Sequence, residues 1–125
     1  MPIVRTGVDL IEIERFTAVY RRYDQRLLHR VFTKAELAEN GENMASLAAR
    51  FAAKEAVAKA FGTGIGQISW QDIEICRGPS GEPVLYLHGC AQRLAQEYHL
   101  TSWSLSLSHS QSHAIAFVVA LSEPA

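Results

Sequence analysis

The sequence predicts an α+β fold in which a mainly antiparallel sheet packs against a long Ala-rich helix. Three observations lead there. The predicted element order is β-α-α-α-β-β-α-β-β, without the regular βαβ alternation of a doubly wound parallel sheet. Residues 102–108 alternate strictly between serine and apolar side chains, the period of a half-buried strand. Between Ala45 and Ala60, eight of sixteen residues are alanine, which combines high helix propensity with so little bulk that a neighbouring element can approach closely.

The first strand is expected from about Ile3 to Leu10. Val4, Thr6, Val8 and Leu10 then line one face, and Ile3, Arg5, Gly7 and Asp9 the other, with Asp9 at the exit. Ile13, Phe16, Tyr20 and Tyr23 step by three and four, as the inner stripe of an amphipathic helix does. On that helix Arg15, Arg22, Arg26 and Arg30 form a solvent-side stripe at spacings of seven, four and four. Thr33 and Glu36 spell a capping box, and Phe32 and Leu37 occupy the two positions of a hydrophobic staple, so a short second helix starts there. The Ala-rich helix follows the polar turn at 40–43 and stops at Gly62, where a flexible Gly62-Thr63-Gly64-Ile65-Gly66 loop begins. Ile68–Cys76 and Pro83–His88 flank a Gly-Pro-Ser-Gly turn and predict a hairpin. Ala91, Leu94, Ala95 and Tyr98 mark the next helical face. Trp103, Leu105 and Leu107 then point to a core, with Ser102, Ser104, Ser106 and Ser108 facing away, and the apolar run Ala114–Leu121 reads as a buried strand.

Length and composition bound the function. A chain of 125 residues and 13.8 kDa, 48% apolar and 20% charged, is one globular domain spanning 1–125, with no repeat or linker to divide it. The longest wholly apolar run falls far short of the roughly 20 residues of a membrane span, and no secretory pattern precedes it, so a cytoplasmic protein is expected. Cys76 and Cys90 lack Cys-x-x-Cys spacing and read as free, buried thiols. A net charge of −1 argues against nucleic-acid binding, which needs an excess of cations to displace counterions. Between Arg15 and Lys34, however, six basic residues face one acid, Asp24, a surface suited to a negative partner.

No Gly-x-Ser-x-Gly elbow, Walker loop or dinucleotide fingerprint is present. The charged residues of the Ala-rich helix are Arg50, Lys54, Glu55 and Lys59. Glu55 and Lys59, one turn apart, are either a solvated pair worth about 0.2–0.5 kcal/mol or part of a site. The second reading gains from Lys59 preceding the Gly62–Gly64 loop and from Asp9 at a strand end. Lysine can meet a phosphate as a point charge, glycine-rich backbone can offer N–H groups to phosphate oxygens, and paired carboxylates can hold Mg²⁺ against it. His109, in Ser108-His109-Ser110-Gln111-Ser112-His113, is either part of a polar turn or a phosphate donor at a strand terminus.

Together these residues resemble the holo-acyl-carrier-protein synthase family, the small trimeric class of 4′-phosphopantetheinyl transferases. The resemblance rests on Gly7-Val8-Asp9-Leu10-Ile11-Glu12, on Arg50-Phe51-Ala52-Ala53-Lys54-Glu55-Ala56 running into Lys59-Ala60-Phe61-Gly62-Thr63-Gly64-Ile65-Gly66, and on Leu107-Ser108-His109-Ser110. The blocks stand in the family's order and cover the chain nearly end to end. The resemblance implies transfer of 4′-phosphopantetheine from coenzyme A to a serine of apo acyl carrier protein, in fatty acid biosynthesis, with release of adenosine 3′,5′-bisphosphate. It implies Asp9 and Glu55 as Mg²⁺ ligands and Lys59 on the pyrophosphate. Arg50 and His109 fall to the anionic nucleotide end, with Lys54 and the Gly62, Thr63 and Gly64 backbone as further contacts. Arg15 matches a carrier-docking position, and charge pattern adds Arg22 and Arg26. A homotrimer is implied as well. The rival reading is a non-catalytic module that binds coenzyme A or an acidic partner with the same cations.

Overall fold

In the computed structural model, which describes residues 2–62 and 67–122, β1 (Val4–Glu12) leads straight into α1 (Ile13–Val31). α2 (Lys34–Asn40) and α3 (Met44–Phe61) follow, then a 3₁₀ turn at Trp70–Asp72 and the strands β2 (Ile73–Arg77) and β3 (Pro83–Leu87). α4 (Gly89–Glu97), β4 (Leu100–His109) and β5 (His113–Ser122) complete the order. The fold is α+β and every strand pair is antiparallel, but the strands form two sheets, β1-β5-β4 and β2-β3, around the Ala-rich α3. No helix among the described residues is long and apolar enough to cross a membrane.

Local signals set the helix ends. The Thr33 side chain accepts from Glu36 N while the Glu36 carboxylate accepts from Thr33 N, completing the expected capping box. Asn43 caps α3 through Ser46 N, and Gly62 ends it in the left-handed conformation at φ 82°. The hairpin opens later than expected, because Ser69 and Asp72 cap a 3₁₀ turn that delays β2 to Ile73.

Side-chain size decides how closely α3 meets the sheet. Gly7 on β1 faces α3 with no room for a methyl group: a Cβ there would lie 2.7 Å from the Ala56 carbonyl carbon and nearer still to its oxygen. On β5 the inward residues Ala114, Ala116, Val118 and Ala120 are fully buried, as are Ala52, Ala53 and Ala56 of α3. The run at 114–121 is therefore not buried on both faces. Its large residues point outward: Ile115 and Phe117 are 39% and 46% exposed, in register with Leu10 and Val8 of β1 at 61% and 49%. β4 adds Ser104, Ser106 and Ser108 to that outer face, while Trp103, Leu105 and Leu107 pack inward as the alternation predicts.

α1 also departs from its expected stripe. Phe16 and Tyr20 are buried, but Tyr23 is 58% exposed. Three residues turn a helix about 60° short of a full circle, which carries Tyr23 off the inner face, and Leu27 and Val31 take the inner positions instead. Arg15, Arg22, Arg26 and Arg30 are all exposed on α1, as the charge stripe requires.

Candidate active site

The close approach of β1 to α3 brings three of the expected site residues together. The two elements run antiparallel, Arg5 meeting the end of α3 through the Ala60 and Phe61 carbonyls and Gly7 lying over Ala56, and the long Lys59 side chain reaches along β1 to Asp9. The Lys59 ammonium donates to Asp9 Oδ1 at 3.1 Å and to the Val8 carbonyl at 2.9 Å. The Lys59 side chain is half exposed and that of Asp9 is 16% exposed, so the cation reaches the rim while the carboxylate is largely enclosed. Glu55, one turn before Lys59, stands near enough to feel both. Its carboxyl is pushed above the ordinary carboxylate range, first by burial and second by the Asp9 charge, with Lys59 opposing. Two acids held close beside one lysine form an oxygen-rich cluster short of positive charge.

The other expected contacts are distributed differently. Lys54 is not at this site, and its expected role in holding the substrate is corrected: its ammonium is fully buried and donates to Glu36 Oε1 at 2.8 Å, to the Trp70 carbonyl at 3.0 Å and to the Ile73 carbonyl. All three ammonium donors are spent inside the protein. Glu36 in turn accepts from Thr33 N and from Ile75 N at 2.9 Å, so one buried ion pair ties α2, α3 and β2 together. Sequence reasoning had no sign that the capping glutamate is also the partner of a lysine eighteen residues on. Breaking such a pair leaves an uncompensated charge, so Lys54→Met is expected to lower unfolding free energy by about 3–5 kcal/mol. Chemical denaturation measures this, and adding Glu36→Gln to the same chain should recover part of the loss.

Gly62 too is corrected as a backbone donor to substrate, because its N–H donates to the Ala58 and Lys59 carbonyls as the cap of α3. Thr63 and Gly64 lie outside the described residues. Arg50 is 7% exposed and donates to the Ser46 hydroxyl at 3.1 Å, yet its Nε has no partner. Arg77 reaches the same hydroxyl at 3.4 Å, and burial followed by the Arg77 charge lowers the Arg50 pKa. Five residues of helix separate Arg50 from Glu55, about 140° of rotation, so the two side chains leave α3 on different sides. His109 is exposed on β4, in line with Ala114 and Ile11 across the sheet. Two strand spacings, about 10 Å, separate it from β1, so it is not beside Asp9 in this chain. Both cysteines are free, as expected. Cys90 is exposed rather than buried, and burial raises the Cys76 thiol to about 11, away from reactivity at neutral pH.

Residues 5–118 match the 4′-phosphopantetheinyl transferase superfamily. A holo-[acyl-carrier-protein] synthase of Herpetosiphon aurantiacus is 48% identical over 123 residues, covering 93% of this chain and 97% of the relative. The Moorella thermoacetica enzyme of that name is 50% identical over 124 residues, covering 97% and 94%. The crystal structure of Helicobacter pylori holo-[acyl-carrier-protein] synthase in complex with coenzyme A superposes with a TM-score of 0.84 at 32% identity, covering 92% of this chain and 98% of that one. The Neisseria meningitidis structure gives 0.85 at 35% identity, covering 93% and 96%. The chain belongs to the 4′-phosphopantetheinyl transferase superfamily. Within it, the chain is an enzyme of the holo-[acyl-carrier-protein] synthase family, as the sequence motifs implied.

Proposed function

We propose that this enzyme moves 4′-phosphopantetheine from coenzyme A to a serine of apo acyl carrier protein in a Mg²⁺-dependent reaction that serves fatty acid biosynthesis. The observation that carries the reading is the enclosed Asp9–Glu55 pair with Lys59 at its rim. Coenzyme A is what the Helicobacter pylori relative holds, and acyl carrier protein is in the name of the relatives.

The pair fits the metal by its donor set. Mg²⁺ is held by one or two carboxylates plus substrate phosphate and water rather than by an all-protein cage. Among the described residues no group of three or more metal-ligating side chains exists, and two carboxylates in mutual repulsion gain from a shared cation. Asp9 and Glu55 would be its protein ligands. When bound, Mg²⁺ would offset that repulsion and draw phosphate charge toward the site.

The chain's own groups do the rest. Lys59 would neutralise charge on the diphosphate as the serine oxygen forms a bond to the β-phosphorus and the bond to the bridging oxygen breaks. Adenosine 3′,5′-bisphosphate then leaves with the electron pair. Glu55, whose proton affinity is raised, suits acceptance of the serine proton, and a water held at Asp9 is the alternative acceptor. No covalent enzyme intermediate is required.

Arg50, with its unpartnered Nε, and His109 are assigned to the nucleotide end. Because they leave the fold on other sides than Asp9 and Glu55, one coenzyme A would meet both sets by lying between subunits. The outer sheet face supports that: Val4, Val8, Leu10, Ile115 and Phe117 form a continuous exposed apolar surface, the kind that marks an interaction site. A homotrimer joined through this face in the cytoplasm is the proposed working form. Phe117→Asp is expected to yield monomers by light scattering and to lose at least about ten-fold in transfer rate, since a buried charge costs more than such an interface can absorb. Arg15, Arg22 and Arg26, exposed along α1, are proposed to dock the acidic carrier.

The direct test is the intact mass of apo acyl carrier protein incubated with this enzyme, coenzyme A and Mg²⁺. A gain of one phosphopantetheine that a chelator abolishes is the expected result. No gain on several carriers would overturn the proposal.

A further inference from the structure

We infer that Arg5, outside the cluster of Asp9, Glu55 and Lys59, is a positioning residue for the reaction: it clamps the last turn of α3 and so fixes where Lys59 begins its reach toward Asp9. The assignment rests on the transfer proposed above.

The end of an α-helix leaves its last four carbonyls without partners from the helix itself. In α3 these belong to Ala58, Lys59, Ala60 and Phe61. The Gly62 N–H donates to the first two, at 3.1 and 2.9 Å. Arg5 Nη1 donates to the other two, at 3.4 Å to the Ala60 carbonyl and 3.3 Å to that of Phe61. A side chain from β1 thus supplies half of the cap. Its charge falls where the helix dipole is negative, and hydrogen bonds from an ionised donor are the stronger class. The guanidinium is itself held, its carbon 4.8 Å from the centre of the Tyr98 ring just beyond α4. Tyr98 packs on the main core, so the clamp is anchored on β1, α3 and the end of α4 together.

Lys59 belongs to the turn that is clamped. Helical side chains lean toward the helix N-terminus, and the Lys59 stem accordingly runs back from that turn to the Val8 carbonyl and Asp9 Oδ1. A flexible stem with a half-exposed ammonium has many other positions open to it. The placement of its backbone is what limits them. Helix ends fray, and a last turn released from Arg5 would let the lysine leave Asp9 for water. A displacement of about 1 Å at a charged group of a site is enough to cost up to about 10²-fold in rate. Arg5, Gly7 and Asp9 share the inner face of β1. Arg5 holds the turn that carries Lys59, Gly7 sets the approach of the two backbones, and Asp9 receives the ammonium.

Arg5→Met keeps the packing of the stem and removes the cap. It is expected to lower kcat about ten-fold and to leave KM for the carrier within about two-fold. Amide exchange at Phe61 and Gly62 should quicken by about ten-fold or more, while Ala52 and Ala53 in mid-helix stay within about two-fold. Arg5→Lys, which returns a cation to the same place, is expected to recover kcat to within about three-fold of the parent. The discriminating measurement is the cycle with Lys59→Met. If Arg5 acts through Lys59, adding Arg5→Met to Lys59→Met should change kcat by less than about two-fold. Losses that multiply would show general damage to the fold and overturn the inference, as would parental exchange at Phe61 and Gly62. Should Arg5→Met not fold, Tyr98→Leu frees the guanidinium without removing it and carries the same cycle, with an expected loss of about three-fold. The Lys59 ε-carbon resonance reads the placement without catalysis. Arg5→Met, or Tyr98→Leu in its stead, is expected to move it to that of a solvated lysine, and an unmoved resonance would overturn the inference. If the parent transferred nothing while this shift appeared, the proposed reaction would fall and the clamp on Lys59 would stand.

Discussion

Glu55→Gln is expected to lose transfer activity by about 10²–10³-fold, the scale of removing one electrostatic group from a preorganised site, and yet to unfold at a higher temperature than the parent. The sign follows from the site. Burial and the neighbouring Asp9 charge raise the Glu55 pKa in the folded chain above its value in the unfolded chain. The folded state therefore binds the proton more tightly. Relative stability is greatest below the unfolded pKa and is lost as pH rises through the raised one, so at neutral pH the ionised carboxyl opposes folding. A neutral amide of equal size removes that opposition. Calorimetry without metal at pH 7 should show an increase of about 2–4 °C, and the advantage should shrink as pH falls toward the ordinary carboxylate range. Added Mg²⁺ should stabilise the parent and not the variant. A variant with parental activity would sink the role given to Glu55, and one with lowered stability would sink the account of its environment.

Gly7→Ala is the substitution expected to damage the fold most for its size. The added methyl would strike the Ala56 backbone carbonyl, which cannot rotate away as a side chain could. β1 and α3 would have to separate, uncovering the alanines on both surfaces and moving Asp9 from Glu55. A loss of about 3–5 kcal/mol in unfolding free energy is expected, a large part of the roughly 5–15 kcal/mol available to a domain. Denaturant titration at fixed protein concentration checks it. Activity should fall more than the folded fraction does, because the surviving folded molecules carry a widened site.

Much of this architecture was legible in the chain. The Thr33–Glu36 box, the Gly62 stop, the alanine density of α3 and the serine alternation of β4 are local signals, and each produced the element it implies. Asp9, Glu55 and Lys59 were legible as candidates because helical spacing and strand ends are also local. What stayed hidden was tertiary. That Glu36 serves both as a cap and as the partner of Lys54 depends on three elements converging, which no spacing along the chain encodes. Lys54 and Glu55 are neighbours in sequence with opposite fates, one saturated in the core and the other partly exposed beside Asp9 and Lys59. The exposure of the outer face of residues 114–121 stayed hidden for a related reason: an apolar side chain left at the surface of a sheet looks the same in sequence as one aimed at a core.

The seam of small residues between α3 and the sheet has a thermodynamic side. Alanine and glycine have no side-chain rotamers to freeze on folding. The contact is therefore made with almost no loss of side-chain freedom, and no alternative packing of these positions can absorb a displacement. The spacing of the two backbones that carry Asp9 and Glu55 is consequently set by main-chain contact. The charged pair is positioned by the residues with the least chemistry, and under the proposed function drift at those alanines toward larger side chains is expected to be felt first as lost catalysis.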